Sequence, residues 1–217
     1  LILSGCFDFT SWTRKALLSY LLENFDRIAK LKKEKQKGIM DFFADDATAD
    51  AMNDLPPTDE EFDDLEKLRY EKELLGFYVT GHPLGSYKKA VDKLKCKNFE
   101  QLMEGENAEV FKVPFVMDSV SVRVSQRTKK KFAICIASDD DHRMDLPIWP
   151  DLYERVSSEL EENALYIGIV AVDKRDGNVR LSCKDLFRLE DIEEKQKEIE
   201  SSYKKASRMS KKKADLE

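Results

Sequence analysis

The chain has 217 residues and a mass of 25.1 kDa, with 41% hydrophobic and 37% charged residues, a balance that points to one or two modest domains with solvated segments and excludes a single large core. Eight Gly and six Pro exclude a collagen-like chain, and no apolar run approaches the roughly 18 residues that a membrane span needs. The net charge of −6 is unevenly spread: residues 44–66 hold 10 Asp/Glu and no Lys/Arg, which leaves the remainder at +4, so a nucleic-acid partner is not excluded.

The opening Leu1-Ile2-Leu3-Ser4-Gly5 has neither Met nor a basic stretch before an apolar run, and it reads as the interior of a longer protein rather than a signal peptide. Trp12, Leu17, Tyr20 or Leu21, Phe25, Ile28 and Leu31 recur at helical steps and predict a helix over 12–37, with Thr10 or Ser11 as N-cap and Gly38 as its stop. An acidic, Pro-containing stretch follows that cannot bury enough apolar area to order itself, which predicts a linker over 44–57. Thr58 or Asp59 caps a second predicted helix of about 16 residues, with Phe62, Leu65, Leu68 and Leu75 as its stripe and Gly76 as its end. Gly81-His82-Pro83-Leu84-Gly85 forces a turn, and a short helix runs from Tyr87 to Leu94.

From Glu109 the period changes to two. Residues 110–116 and 119–125 are followed by Lys131–Ala137, with a basic turn between, and then by Arg143–Trp149, a helix from about Pro150 to Leu160, and further strands over 164–172 and 179–183. Three strands, a helix and two strands are the element order of a five-stranded OB-fold barrel, so the expected fold class is α+β: a helical module with a flexible acidic linker, then the barrel. The expected divisions are 1–37, the linker with its leading peptide at 38–66, 67–105, the barrel at 106–190, and a tail at 191–217 that is a charged helix or disorder with no core of its own.

Cys6, Cys96, Cys135 and Cys183 are too far apart for a CxxC or a zinc knuckle, which predicts free thiols and a cytoplasmic setting. No phosphate loop, nucleophile motif or spaced carboxylate pair is present, so no catalytic residue and no cofactor or metal are expected in this segment. Asp139-Asp140-Asp141 reads as a charged loop. His82 lacks neighbouring ligands and is expected to make a backbone hydrogen bond in its turn.

Glu71-Lys72-Glu73-Leu74-Leu75-Gly76-Phe77-Tyr78-Val79-Thr80-Gly81-His82-Pro83-Leu84 resembles the "EKE-LGFY-GHPL" segment of the bacterial DNA polymerase III alpha subunit family. Leu1–Asp8 with Arg14 and Leu17-Leu18 resembles the "LI-SGAFD…R…L" stretch of the same family, and the barrel pattern falls where that family carries an OB domain. The resemblance implies a parent chain that is a DNA-directed DNA polymerase, a nucleotidyltransferase using magnesium, with its catalytic aspartates upstream of residue 1. In the family's GHPL segment, Gly76, Phe77, Tyr78, Gly81, His82, Pro83 and Leu84 are either scaffold or a contact to duplex DNA or to the polymerase fingers; their turn and apolar chemistry favours scaffold.

The resemblance also implies a sliding-clamp peptide at Gly38, Ile39, Met40, Asp41, Phe42 and Phe43, with Ile39 where the family's peptide carries Gln. Two adjacent aromatic anchors on a tether suit a hydrophobic pocket; the alternative is that Phe42 and Phe43 pack on this chain's own helices. In the barrel, Arg123, Arg127, Lys129, Lys130, Lys131 and Phe132 combine charge with an aromatic platform, as single-strand-binding OB-folds do, although residues 106–189 hold 13 basic and 15 acidic residues. The expected partners are the sliding clamp, single-stranded and primer-template DNA, and other replicase subunits, with no membrane. The competing reading is a stand-alone OB-fold protein-interaction module without polymerase activity.

Overall fold

Helix α1 (Arg14–Gln36) starts where Thr13, rather than Thr10 or Ser11, provides the cap. Its hydroxyl accepts the N–H of Ala16 at 3.1 Å and donates to the Glu60 carbonyl at 2.7 Å. The structure, a computed structural model, describes residues 1–36, 56, 58–175 and 178–214, so the peptide 38–43 and nearly all of the 44–57 linker lie outside the described residues. The expected apolar stripe of α1 is only partly buried: Phe25 is 61% exposed, while Ala16 and Arg14 are buried.

Helix α2 (Asp64–Leu75) is shorter than the predicted 16 residues because Asp63, not Thr58 or Asp59, is its N-cap, accepting the N–H of Glu66 at 2.7 Å. It ends at Gly76, whose φ of +86° is a conformation that glycine adopts without steric cost. Residues 58–62, expected to open the second helix, fold back on α1 instead. The Glu61 carboxylate accepts the N–H groups of Arg14, Lys15 and Phe62 at 3.0, 3.2 and 2.9 Å, placing an anion on the positive end of the α1 dipole.

Arg14, 2% exposed, ties these pieces together. Its guanidinium donates to both carboxylate oxygens of Asp8, at 2.6–3.2 Å, to the Leu3 carbonyl, and to Glu71 Oε1 at 2.9 Å. Glu71, fully buried, also accepts the N–H of Val79 at 2.7 Å, the N–H of Thr80 at 3.0 Å and the Thr80 hydroxyl at 3.0 Å. Each charge is thereby compensated and each lone pair used, the condition under which a buried ion pair persists. A Cβ on Gly5 would run into the Arg14 guanidinium, so the turn at Gly5, with φ of +82°, needs glycine on both steric and conformational grounds.

The chain divides into two units, Leu1–Gly81 and His82–Glu217, where the sequence reading drew boundaries at 66 and 105. The second unit opens with a 3-10 turn (Pro83–Tyr87), α3 (Lys88–Lys93) and α4 (Phe99–Glu104), whose start carries an Asn98/Gln101 capping box. Five strands follow in the order β3-β2-β1-β4-β5, all neighbours antiparallel: β1 (Val110–Val124), β2 (Lys131–Ser138), β3 (Arg143–Ile148), β4 (Leu165–Arg175) and β5 (Asn178–Arg188). Helix α5 (Pro150–Val156) stands between β3 and β4, with Pro150 at its first position. β3 lies against β5 without a ladder between them among the described residues, which closes the sheet into the partly open five-stranded barrel of an OB-like α+β fold.

β1 is one strand of 15 residues where the sequence suggested two. Its first part pairs with β4 (Val110–Val116) and its later part with β2 (Val116–Val124), the two ladders overlapping at Val116, with a register shift in the second between Met117 and Ser119. The bulge bends the strand around the barrel corner. Pro114, which cannot donate to a ladder, sits in the half that has a single neighbour. Phe111, Val113, Phe115 and Met117 face inward with Phe99, Ala133, Cys135, Leu146, Ile148 and Tyr166 to make the core.

Helix α6 (Gln196–Ala214) takes up the helical alternative expected for 191–217, but it is packed on the barrel. It packs on β1, β4 and β5, with Ile199 buried and Ala206 8% exposed, and Ile192, just ahead of it, is buried as well. Lys112, on the outward face of β1 and buried, forms an ion pair with Glu200 and lies 5.0 Å from the centre of the Tyr203 ring. This cover explains why β1 is buried on both faces over Val110–Met117. Burial pushes the Cys96 and Cys135 thiols up to about 12 and raises Cys183 further still, so these three are inert packing groups, whereas Cys6 is exposed.

Candidate nucleic-acid interface

The β1–β2 hairpin outruns the barrel: Val122 and Val124 are 50% and 56% exposed at its end. Its turn is ordered by Ser125, whose N–H donates to the Lys130 carbonyl at 2.9 Å, whose carbonyl accepts from Lys129 at 2.9 Å, and whose hydroxyl accepts from Thr128 at 3.2 Å. Lys129 takes a left-handed conformation, φ +56°, an uncommon one for a residue with a side chain. Arg123, Arg127, Lys129, Lys130 and Lys131 are all exposed around this turn. Lys130 Nζ lies 3.6 Å from Asp151 Oδ1, both side chains mostly in solvent, a pairing of little strength.

Period-two alternation along β2 turns Ala133, Cys135 and Ala137 inward and leaves Phe132, Ile134 and Ile136 on the outer face. Phe132 stands opposite Arg123 in the ladder. Beyond the end of β3 the same alternation brings Trp149 beside Phe132, ring centroids 5.9 Å apart and planes 26° apart, and Trp149 is 50% exposed. The result is a two-ring platform flanked by Arg123 and the basic turn, which offers a stacking surface next to positive charge. Sequence reasoning missed Trp149. Its signal was there: in the run Arg143–Trp149, alternation puts it on the opposite face from Leu146 and Ile148, so it is a large aromatic that the core does not take up.

The GHPL residues fall into two groups. Pro83 and Leu84 are buried, whereas Phe77 is 59% exposed and Gly81 is exposed; Tyr78 is half-buried with Lys72 Nζ 5.2 Å from its ring centre. His82 Nδ1 is 2.7 Å from Asp140 Oδ1 and 3.4 Å from the Leu84 N–H. The bond accepted from the Leu84 N–H is the backbone hydrogen bond expected for this histidine, and the neighbouring Asp140 carboxylate links the turn to the β2–β3 loop. Asp139, 9% exposed, accepts the N–H groups of Phe99, Asp141 and His142 at 2.7, 3.1 and 2.8 Å. The acidic run is thus a loop whose first residue holds α4 to the barrel. Among the described residues, no group of three or more His, Cys, Asp or Glu is arranged to hold a metal ion, and no helix is long and apolar enough to cross a membrane.

No protein-family model matches the chain. It is 37% identical over 194 residues to DNA polymerase III subunit alpha of Chlamydia pneumoniae, covering 85% of this chain and 15% of that relative. It is 32% identical over 190 residues to the subunit of the same name from Chlamydia trachomatis, and 31% identical over 173 residues to that of Borreliella burgdorferi, in each case covering 15% of the relative. The two stretches that carry the motif resemblance meet in the Asp8–Arg14–Glu71–Thr80 network. The chain therefore spans about 15% of the length of these curated relatives, and it is homologous to one segment of DNA polymerase III subunit alpha.

Proposed function

We propose that this chain serves as a C-terminal segment of a bacterial replicative DNA polymerase catalytic subunit, tethering it to a sliding clamp through Gly38–Phe43 and contacting single-stranded template DNA through the barrel. The observation that carries the DNA reading is the half-exposed Phe132–Trp149 platform beside the basic turn: stacking tolerates any base and cations follow the phosphates. The clamp reading rests on the paired aromatics Phe42 and Phe43 after Gly38 and on the similarity to polymerase relatives. On this reading nucleotidyl transfer and its magnesium belong to other domains of the parent enzyme. The segment works in the cytoplasm, beside DNA and other replicase subunits.

The test is the salt dependence of single-strand binding. Each phosphate neutralised on a single strand contributes about −0.7 to the slope of log affinity against log salt. Changing Lys129, Lys130 and Lys131 together to Ala should flatten that slope by up to about two units. Phe132→Ala should lower affinity by roughly 1–3 kcal/mol with the slope nearly unchanged, because stacking releases no counterions. Titrations of a labelled oligothymidine at several salt concentrations measure both; a triple variant indistinguishable from the parent would reduce the turn to a solvated loop.

A further inference from the structure

Trp149 belongs to two surfaces. One side of its ring meets Phe132; it also lines a groove of about 870 Å³ bounded by α5, β4, β5 and α6. Asp151 joins the two surfaces as well, lining the groove while pairing with Lys130 of the basic turn. The platform and the groove are therefore one continuous surface.

The charges within the groove are unequally committed. Asp185 is occupied by Arg155 at 3.2 Å and by the Ser202 hydroxyl at 2.6 Å, and Asp151 by Lys130; Asp173 also contributes to the lining. Arg180 and Lys205 line the same groove, are exposed, and form no ion pair with a described residue. Met209, 64% exposed, lies on the α6 wall, an adaptable apolar contact for a flat ring. Two uncommitted cations on the far walls, an aromatic at the entrance and a polarizable thioether are the chemistry that recognises phosphates alternating with bases.

We propose that the single strand seated on the turn and platform continues past Trp149 into this groove, where Arg180 and Lys205 contact its phosphates. The proposal rests on the barrel's binding of single-stranded DNA and extends that site to a second segment of the strand, within the range of about 4–16 nucleotides that one OB fold covers.

The experiment uses the whole chain carrying Trp12→Phe, which leaves Trp149 as the sole tryptophan, and reads the quenching of its emission by oligothymidines of 4 and 12 nucleotides. In that background, Arg180→Ala with Lys205→Ala should weaken binding of the 12-mer about tenfold and flatten its salt slope by up to about 1.4. Binding of the 4-mer, which the turn and platform hold, should change less than about twofold. Arg180→Lys with Lys205→Arg should restore the 12-mer, which separates lost charge from lost structure. If the groove pair of alanines matches the parent at both lengths while the Lys129/Lys130/Lys131 variant loses affinity, the barrel binds DNA and the groove does not, and the proposal is overturned alone. If neither oligonucleotide quenches Trp149 or binds the intact chain, the proposal falls together with the reading on which it rests.

Discussion

Glu71→Ala is expected to destabilise the Leu1–Gly81 unit by about 3–5 kcal/mol, the scale for removing one partner of a buried ion pair. The loss has two sources. Arg14 would remain buried with only the half-exposed Asp8 to compensate it, and the N–H groups of Val79 and Thr80 would lose their acceptor. Denaturant unfolding in a Trp149→Phe background, followed by Trp12 emission, reads this unit alone. A change below about 1 kcal/mol would mean that water enters and replaces the carboxylate.

The same group makes the unit acid-sensitive. Burial pushes the Glu71 carboxyl up, but the N–H groups of Thr80 and Val79, the Arg14 guanidinium and the Thr80 hydroxyl outweigh it, and its pKa lies below the ordinary carboxylate value. A folded-state pKa lower than the unfolded one gives stability that is present above the unfolded pKa, about 4.3 for a free Glu, and lost as pH falls through the folded value. Glu71→Gln should flatten the stability profile below about pH 4.3 while keeping the side-chain volume. An unchanged acid limb would assign the sensitivity to other carboxylates.

Replacing Phe42 and Phe43 together by Ala should cost at least about 2 kcal/mol of affinity for a sliding clamp, roughly thirtyfold, as expected for aromatic anchors that carry most of a short peptide's binding energy. Thermal stability should stay within about 0.5 kcal/mol if the two rings have no role in the chain's own packing. Ile39→Gln should strengthen binding by restoring the side-chain hydrogen bonds that the family's peptide makes. Surface-immobilised clamp titrated with the parent and the two variants decides the matter: a double alanine that binds as well as the parent, or one that melts early, removes these residues from the docking role.

The barrel is legible in the sequence because strands announce themselves by alternation: Phe132, Ile134 and Ile136 against Ala133, Cys135 and Ala137 form a pattern no helix produces. β1 reads as two strands because Pro114 and the bulge at Met117–Ser119 break that alternation, and only the ladder reveals that one strand serves two neighbours. Helix α6 is obscured by its charge. It touches the barrel through Ile199 and Ala206, one small stripe every seven residues, too sparse to separate from a solvated helix by composition. The Arg14–Glu71 pair is the hardest to read, since charged residues are almost never buried unless paired, and nothing in the spacing of residues 14 and 71 says that they pair. The basic turn was visible as charge; the platform was only half visible, because Phe132 on β2 and Trp149 just past the end of β3 come together only through the β2–β3 pairing.

The seat of α6 on β1 has a consequence for how the polypeptide is made. Lys112 and Glu200 are 88 residues apart, and at roughly 5–20 residues per second their synthesis is separated by about 4–18 s. During that interval β1 can pair with β2 and, later, with β4, but its outer face has no cover and its buried lysine no counter-charge. Ribosome stalling before Glu200 emerges should therefore leave a chain that is readily proteolysed within β1. Because α6 follows every strand in the chain, its emergence, and not that of the sheet, is expected to be the event that commits the barrel.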